Sequence, residues 1–274
     1  MNLRNAARIA IMAGAVVPLA GCTVQNHFLY YPGRRLPTTG ELGVLNLRFW
    51  PSGPAAYRGF IGAATIAAAQ GTVIVFHGNA GTAADRAYYA DALAPLGYRV
   101  ILAEYPGYGR RDGRLGEAPF ISDAKETLRL VSGQYGSPIF LLGESLGCGV
   151  AARLAGDNSL RIDGVLLVTP WDTLRAVAGH HFPWAPLRLL LRDRYDSVGH
   201  LKAYPGRVGI VGAEKDEVIP VRHATALYES RAGDKRMLII PGAGHNDWME
   251  RVGPGHWREW MDYVHGAQAD HGGS

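Results

Sequence analysis

Six short runs of mostly apolar residues recur along the chain: TVIVF at 72–76, RVILA at 99–103, PIFLL at 138–142, GVLLV at 164–168, RVGIV at 207–211 and RMLII at 236–240. They lack the strict alternation of a strand with one wet face, so each is expected to be covered on both sides, as in a parallel sheet. Between them lie stretches whose mixed polarity suits helices with one buried stripe: residues 83–95, 117–134, 146–156, 221–231 and 247–264. Two less sharply bounded strands are expected earlier, at 44–50 and 57–67. Alternating strands and helices predict an α/β fold, a mostly parallel central sheet with helices on both faces. No repeat, low-complexity tract or long linker interrupts the pattern, so one domain is expected over residues 44–265. The polar tail 266–274 is expected to fray.

The start of the chain follows another pattern. Arg4 and Arg8 precede the apolar run IAIMAGAVVPLA, which closes on LAGC at residues 19–22. A basic region, a short apolar core and small residues before a cut site describe a secretory signal peptide over residues 1–21. The run is well short of the roughly 20 apolar residues that cross a bilayer as a helix. Its ending resembles the lipobox of bacterial lipoproteins. That resemblance implies cleavage before Cys22 and acylation of its thiol and new amino terminus, which anchors a protein on a membrane without spanning it. Residues 22–43, rich in turn formers, then read as a tether and lead-in segment. The expected location is the bacterial cell envelope, on the periplasmic face. Thr23 after the cysteine, where no aspartate stands, favours the outer membrane by resemblance to the sorting pattern of enteric bacteria.

Arg4 and Arg8 supply half of the formal net charge of +4, and no lysine-rich tract or binding motif appears, so no nucleic-acid partner is expected. With Cys22 acylated, Cys148 has no cysteine left to pair with and reads as a small buried residue.

Candidate chemistry centres on IFLLGESLGCG, residues 139–149, where an apolar strand ends in Ser145 held between Gly143 and Gly147. Gly-x-Ser-x-Gly between a strand and a helix is a nucleophile elbow, a tight turn that exposes the serine hydroxyl and needs small neighbours. A serine hydroxyl requires a base within hydrogen-bonding reach. His245, in the loop PGAGHNDW after the last strand, is the candidate. A carboxylate must orient that histidine. Asp216 in VGAEKDEVIP lies between serine and histidine in the chain, with Glu214, Glu217 and Asp172 as rivals. Negative charge on the reacting carbonyl oxygen needs fixed donors. The backbone N–H groups of Asn79, in FHGNAG, and of Leu146, the residue after the serine, are the expected pair, with His77 as a brace for the loop. GYGRRDG at 107–113 has Asp112 where a dinucleotide loop needs its third glycine, so no nicotinamide or flavin cofactor is implied; nor does any histidine pair show metal-ligand spacing.

The elements LYYP, VFHGNAG, EYPGYG, LLGESLGCGVA, TPWDTL, GAEKDEVIP and GAGHND, over about residues 28–264, together resemble the α/β-hydrolases of the serine-hydrolase type, and more narrowly their Bem46-like branch. The resemblance implies a Ser145–Asp216–His245 triad with donors at Asn79 and Leu146, and an esterase-like activity; some relatives remove long acyl chains from protein cysteines. Pro106 departs from the family, where an arginine is common, so substrate preference does not carry over.

Residues 172–206 stand where this fold often inserts a lid, and they contain HHFPWAPLRLLLRDRY. Trp184 and Leu190 are expected to line an acyl pocket, unless the segment is an amphipathic helix packed on the sheet. Three readings compete: a lipid-anchored hydrolase of carboxylic esters or thioesters acting on small-molecule or acylated substrates, a serine peptidase of the same fold, and an inactive envelope binding protein.

Overall fold

The computed structural model describes residues 25–266 apart from 65, 67 and 185–190. Its centre is an eight-stranded sheet built from β2 (Leu47–Trp50), β3 (Gly59–Gly62), β4 (Gly71–Phe76), β6 (Tyr98–Ala103), β7 (Ile139–Glu144), β8 (Gly164–Val168), β9 (Arg207–Ala213) and β10 (Lys235–Ile240). The order is β10-β9-β8-β7-β4-β6-β3-β2. All pairings from β6 to β10 are parallel, whereas β3 runs antiparallel to both β6 and β2. Two dipeptides, β1 (Tyr31–Pro32) and β5 (Ala80–Gly81), form a separate parallel pair.

Every residue of β4, β7 and β8 is buried, as the continuous apolar runs require. Alternate side chains feed two cores. Ile74, Ile101, Leu141, Leu167 and Ile210 pack on one face with Phe120 and Leu128 of α3 (Glu117–Tyr135) and with α4 (Leu146–Ala155). Val73, Val75, Leu102, Leu142 and Val211 pack on the other with α2 (Tyr88–Leu93) and the Trp257–Trp260–Val264 stripe of α8 (Pro254–His265). A helix α1 (Thr39–Val44), capped by Thr38 and Glu41, precedes β2.

Two expected helices are interrupted. The stretch 83–95 resolves into a 3-10 turn at Ala83–Arg86, then α2, then a second 3-10 turn at Ala94–Leu96, which Gly97 closes at φ 85°. The stretch 247–264 divides into a 3-10 turn at Trp248–Arg251 and α8. Proline's missing N–H and fixed φ suit a first helical position, so Pro254 starts a new helix instead of continuing the old one.

Residues 25–33 correct the tether expectation. Tyr30 is buried and packs on Phe120, while its hydroxyl donates to Asp193. Tyr31 N donates to the carbonyl of Asn79 (2.9 Å). Residues 25–33 are therefore part of the domain surface. The 172–206 segment opens with α5 (Leu174–His181) and returns through α6 (Ser197–Leu201), and a bridge between Thr173 and Asp196 closes its base. Helix α7 (Arg222–Ser230) links β9 to β10.

Candidate active site

The elbow begins where β7 ends. Ser145 has φ 52° and ψ −115°, a conformation an L-residue adopts only when its surroundings hold it there. Its N–H donates to Val168 on the neighbouring strand (2.9 Å), and its carbonyl accepts from Cys148 (3.0 Å). The flanking glycines are steric necessities. A Cβ at Gly147 would lie 1.9 Å from the Phe76 carbonyl oxygen, and one at Gly143 would lie 2.6 Å from the Cys148 backbone.

His245 hangs in the loop after β10, with Nε2 3.1 Å from Ser145 Oγ and Nδ1 2.7 Å from Asp216 Oδ2. Asp216 ends the turn after β9. Its other oxygen accepts from the N–H groups of Val218 (2.9 Å) and Ile219 (2.7 Å), which fixes the carboxylate although it is almost fully buried. The carboxylate accepts from Nδ1–H, leaving Nε2 to accept from the serine hydroxyl. Asp172, the serious rival as acid, is occupied elsewhere: its Oδ1 lies 2.9 Å from His223 Nδ1 and also accepts from Thr173 N (2.7 Å). Glu214 accepts from the backbone of Gly242 on an exposed turn.

The loop after β4 comes close to the elbow: a Cβ added at Gly78 would meet Ser145 Cβ at 3.6 Å. The Asn79 peptide is held through its carbonyl, which accepts from Tyr31 N and from the Tyr108 hydroxyl (2.6 Å), and through its side-chain amide, which donates to Leu29 O (3.1 Å). Among the described residues neither Asn79 N–H nor Leu146 N–H donates to a protein acceptor. Leu146 opens α4, where helix geometry leaves the first amides unpaired. His77 braces the loop from below, with Nδ1 2.8 Å from Gly78 O, Nε2 3.1 Å from Glu104 and its carbonyl accepting from the Tyr105 hydroxyl.

Sequence reasoning missed Glu144, between the elbow's first glycine and the serine. It accepts from Arg86 Nε (2.9 Å), Tyr88 OH (2.6 Å) and Tyr89 OH (2.8 Å). Burial pushes its pKa up most strongly, but the Arg86 charge, the two phenols and the Arg86 hydrogen bond together hold it below the ordinary carboxylate value. A charged residue at the end of an apolar strand was the available signal; its partners lie far back in the chain. Cys148 is fully buried, donates its thiol hydrogen towards the Gly143 and Val168 carbonyls, and has its pKa pushed well up by burial, so it is no competing nucleophile. Trp184, expected in a pocket wall, is 82% exposed and meets Phe182 edge-on, so it stands on the surface. Leu190 and Cys22 lie outside the described residues.

A family described as "Serine aminopeptidase, S33" matches residues 67–192. The chain is 36% identical over 178 residues to the protein Rv2307c of Mycobacterium tuberculosis, covering 64% of this chain and 63% of that one. It is 29% identical over 184 residues to the lysophosphatidylserine lipase ABHD12 of Danio rerio, covering 60% of this chain and 48% of the lipase. The chain thus spans less than two thirds of the length of either relative. The esterase Pf2001 of Pyrococcus furiosus superimposes with a TM-score of 0.64 at 16% identity, covering 86% of this chain and 97% of the esterase. The fold is that of the α/β-hydrolases.

Proposed function

We propose that the protein is a serine hydrolase that cleaves carboxylic ester or thioester bonds through an acyl-enzyme on Ser145, held on the cell envelope by acylated Cys22. The observation that carries the hydrolase reading is the unbroken chain Asp216–His245–Ser145, 2.7 and 3.1 Å, at a strained elbow. In the proposed reaction His245 Nε2 takes the hydroxyl proton as Ser145 Oγ bonds to the substrate carbonyl carbon. The carbonyl oxygen becomes an oxyanion facing the Asn79 and Leu146 amides. The tetrahedral centre collapses, the proton passes from His245 to the departing alcohol or thiol, and the acyl group stays on Ser145. Water then attacks the acyl carbon as His245 takes its proton, and the second tetrahedral centre collapses to the acid as His245 passes that proton to the departing Ser145 Oγ. Asp216 stabilises the imidazolium in both halves. Each oxyanion donor in such a site contributes about 3–4 kcal/mol to the transition state.

An ester-type substrate is supported by the relative named as a lysophosphatidylserine lipase and by the sequence likeness to the Bem46-like branch. The matched S33 description favours peptide-bond cleavage as a second reading. Labelling with a fluorophosphonate, together with p-nitrophenyl esters, acyl thioesters and aminoacyl anilides, separates the readings. We expect labelling and ester turnover, with Ser145→Ala and His245→Ala each losing on the order of 10⁶ in kcat. More than a tenth of wild-type turnover in Ser145→Ala sinks the mechanism, and turnover of anilides alone selects the peptidase.

A further inference from the structure

Five of the eight large apolar side chains left exposed among the described residues lie on three segments linked to one another or to the catalytic loops: Phe28 (63%), Tyr31 (51%), Phe182 (40%), Trp184 (82%) and Val218 (42%). Three of them are in ring contact, and the other two are hydrogen-bonded to the same segments. Phe28 meets Phe182 edge-on at 6.4 Å and Phe182 meets Trp184 at 6.3 Å. The Tyr31 hydroxyl donates to Phe28 O, and His181 Nε2 lies 2.7 Å from Val218 O. The face is also wired to the chemistry. Val218 N donates to the Asp216 carboxylate, and Tyr31 N donates to the carbonyl of Asn79, the residue whose own N–H is the expected oxyanion donor. A surface that presents two phenylalanines, a tyrosine and a tryptophan has the composition of a bilayer interface, where amphipathic rings settle at headgroup depth.

What covers this face is indicated by where the chain leads. Cys22 lies six residues before Phe28, so even a fully extended connection places it within about 20 Å of the patch. We infer that the Phe28–Tyr31–Phe182–Trp184–Val218 face docks on the lipid surface and turns the Ser145 mouth towards it, so that the substrate is an acyl ester drawn from the membrane. This deepens the hydrolase reading and rests on it for the substrate, while the docking rests on the proposed acylation of Cys22.

The tryptophans supply the test. Trp184 is the exposed one; the other five of the six, at positions 50, 171, 248, 257 and 260, are at most 4% exposed. The full chain is mixed with phosphatidylcholine vesicles whose acyl chains are plain or brominated. Bromine quenches only indoles that reach the acyl region, so emission should fall in brominated vesicles, and the fall should vanish in Trp184→Phe. Equal emission in both vesicles overturns the proposal. So does a change in Trp184 emission with protein concentration in the absence of lipid, which marks the face as a contact between copies. In a second arm, Phe28→Ser/Phe182→Ser should slow hydrolysis of a long-chain ester embedded in vesicles by about tenfold, a cost in line with exposing buried aromatic area. Hydrolysis of p-nitrophenyl acetate should stay unchanged. Equal loss on both substrates overturns the docking role. If the wild type hydrolyses neither ester, the hydrolase reading fails, and the quenching result still decides the docking.

Discussion

Ser145 is held at φ 52° because its amide is tied to Val168 while α4 must begin at the next residue. Backbone strain of that kind costs about 1–3 kcal/mol, and glycine largely escapes it. Ser145→Gly and Ser145→Ala should both be inactive, yet the glycine variant should unfold at a higher denaturant midpoint, its unfolding free energy larger by about 1 kcal/mol. Equal midpoints would mean the elbow carries no strain. The two aspartates form a second pair of contrasts. Asp216→Asn should cost about 10⁴ in kcat because a side-chain amide in that place no longer selects the tautomer that leaves Nε2 free. Asp172→Asn should leave kcat within a few-fold, since that residue serves His223. Ester kinetics on both variants check this, and the reverse ranking would move the acid. The nucleophile, base and glycines are legible in the sequence because elbow geometry constrains residue type at each position. The acid is narrowed, not chosen, by sequence: several carboxylates follow strands, and only the fold decides which one faces His245.

At the level of elements, the elbow and the oxyanion loop share a buried foundation. Glu144 precedes Ser145, and its partners Arg86, Tyr88 and Tyr89 come from the 3-10 turn and α2 that follow the Asn79 loop. Glu144→Gln would leave the Arg86 guanidinium without its counter-charge in a mostly buried position, a loss of about 3 kcal/mol on unfolding. The pH dependence follows from the depressed pKa. The contribution of Glu144 is fully present above its ordinary value of 4.5 and is lost as pH falls through the lower folded value. Thermal melts below pH 4.5 should therefore show wild type losing its advantage over Glu144→Gln as acid is added. A difference in Tm that stays constant down that range would show Glu144 to be uncoupled from folding. Such a foundation cannot be read from sequence, because a buried carboxylate announces a need for partners without naming them. Helix breaks are more accessible: Pro254 and Gly97 are visible as punctuation, but the pattern of apolar positions runs straight across them.

For the whole molecule, the continuous apolar runs specify six parallel strands, of which five are covered on both faces; β10, expected to be covered as well, lies at the sheet edge and leaves Ile239 48% exposed. The strand order, and the antiparallel placement of β3 between β6 and β2, come from packing that no single run encodes. The lead-in segment conceals its role for a similar reason. Its turn-rich composition hides the anchoring by Tyr30 and Gln25, whose partners at Arg192 and Asp193 are more than 160 residues away. That docking gives the proposed lipid anchor a mechanical meaning. A chain tied to the domain surface from Gln25 onward leaves only a few residues of slack after Cys22, so the anchored domain is restrained to one side. Acyl chains contribute about 0.8 kcal/mol per buried CH₂, and a single chain binds only reversibly, so a stable hold needs the full set of acyl groups on Cys22. Cys22→Ser should therefore lose label from a fatty-acid analogue and leave the membrane fraction. Its turnover of a soluble ester should stay unchanged, because the hydrogen-bonded chain of Asp216, His245 and Ser145 is complete without Cys22. Equal labelling of the variant and wild type would remove the anchor from the account, and lost soluble turnover would mean that the anchor segment supports the fold.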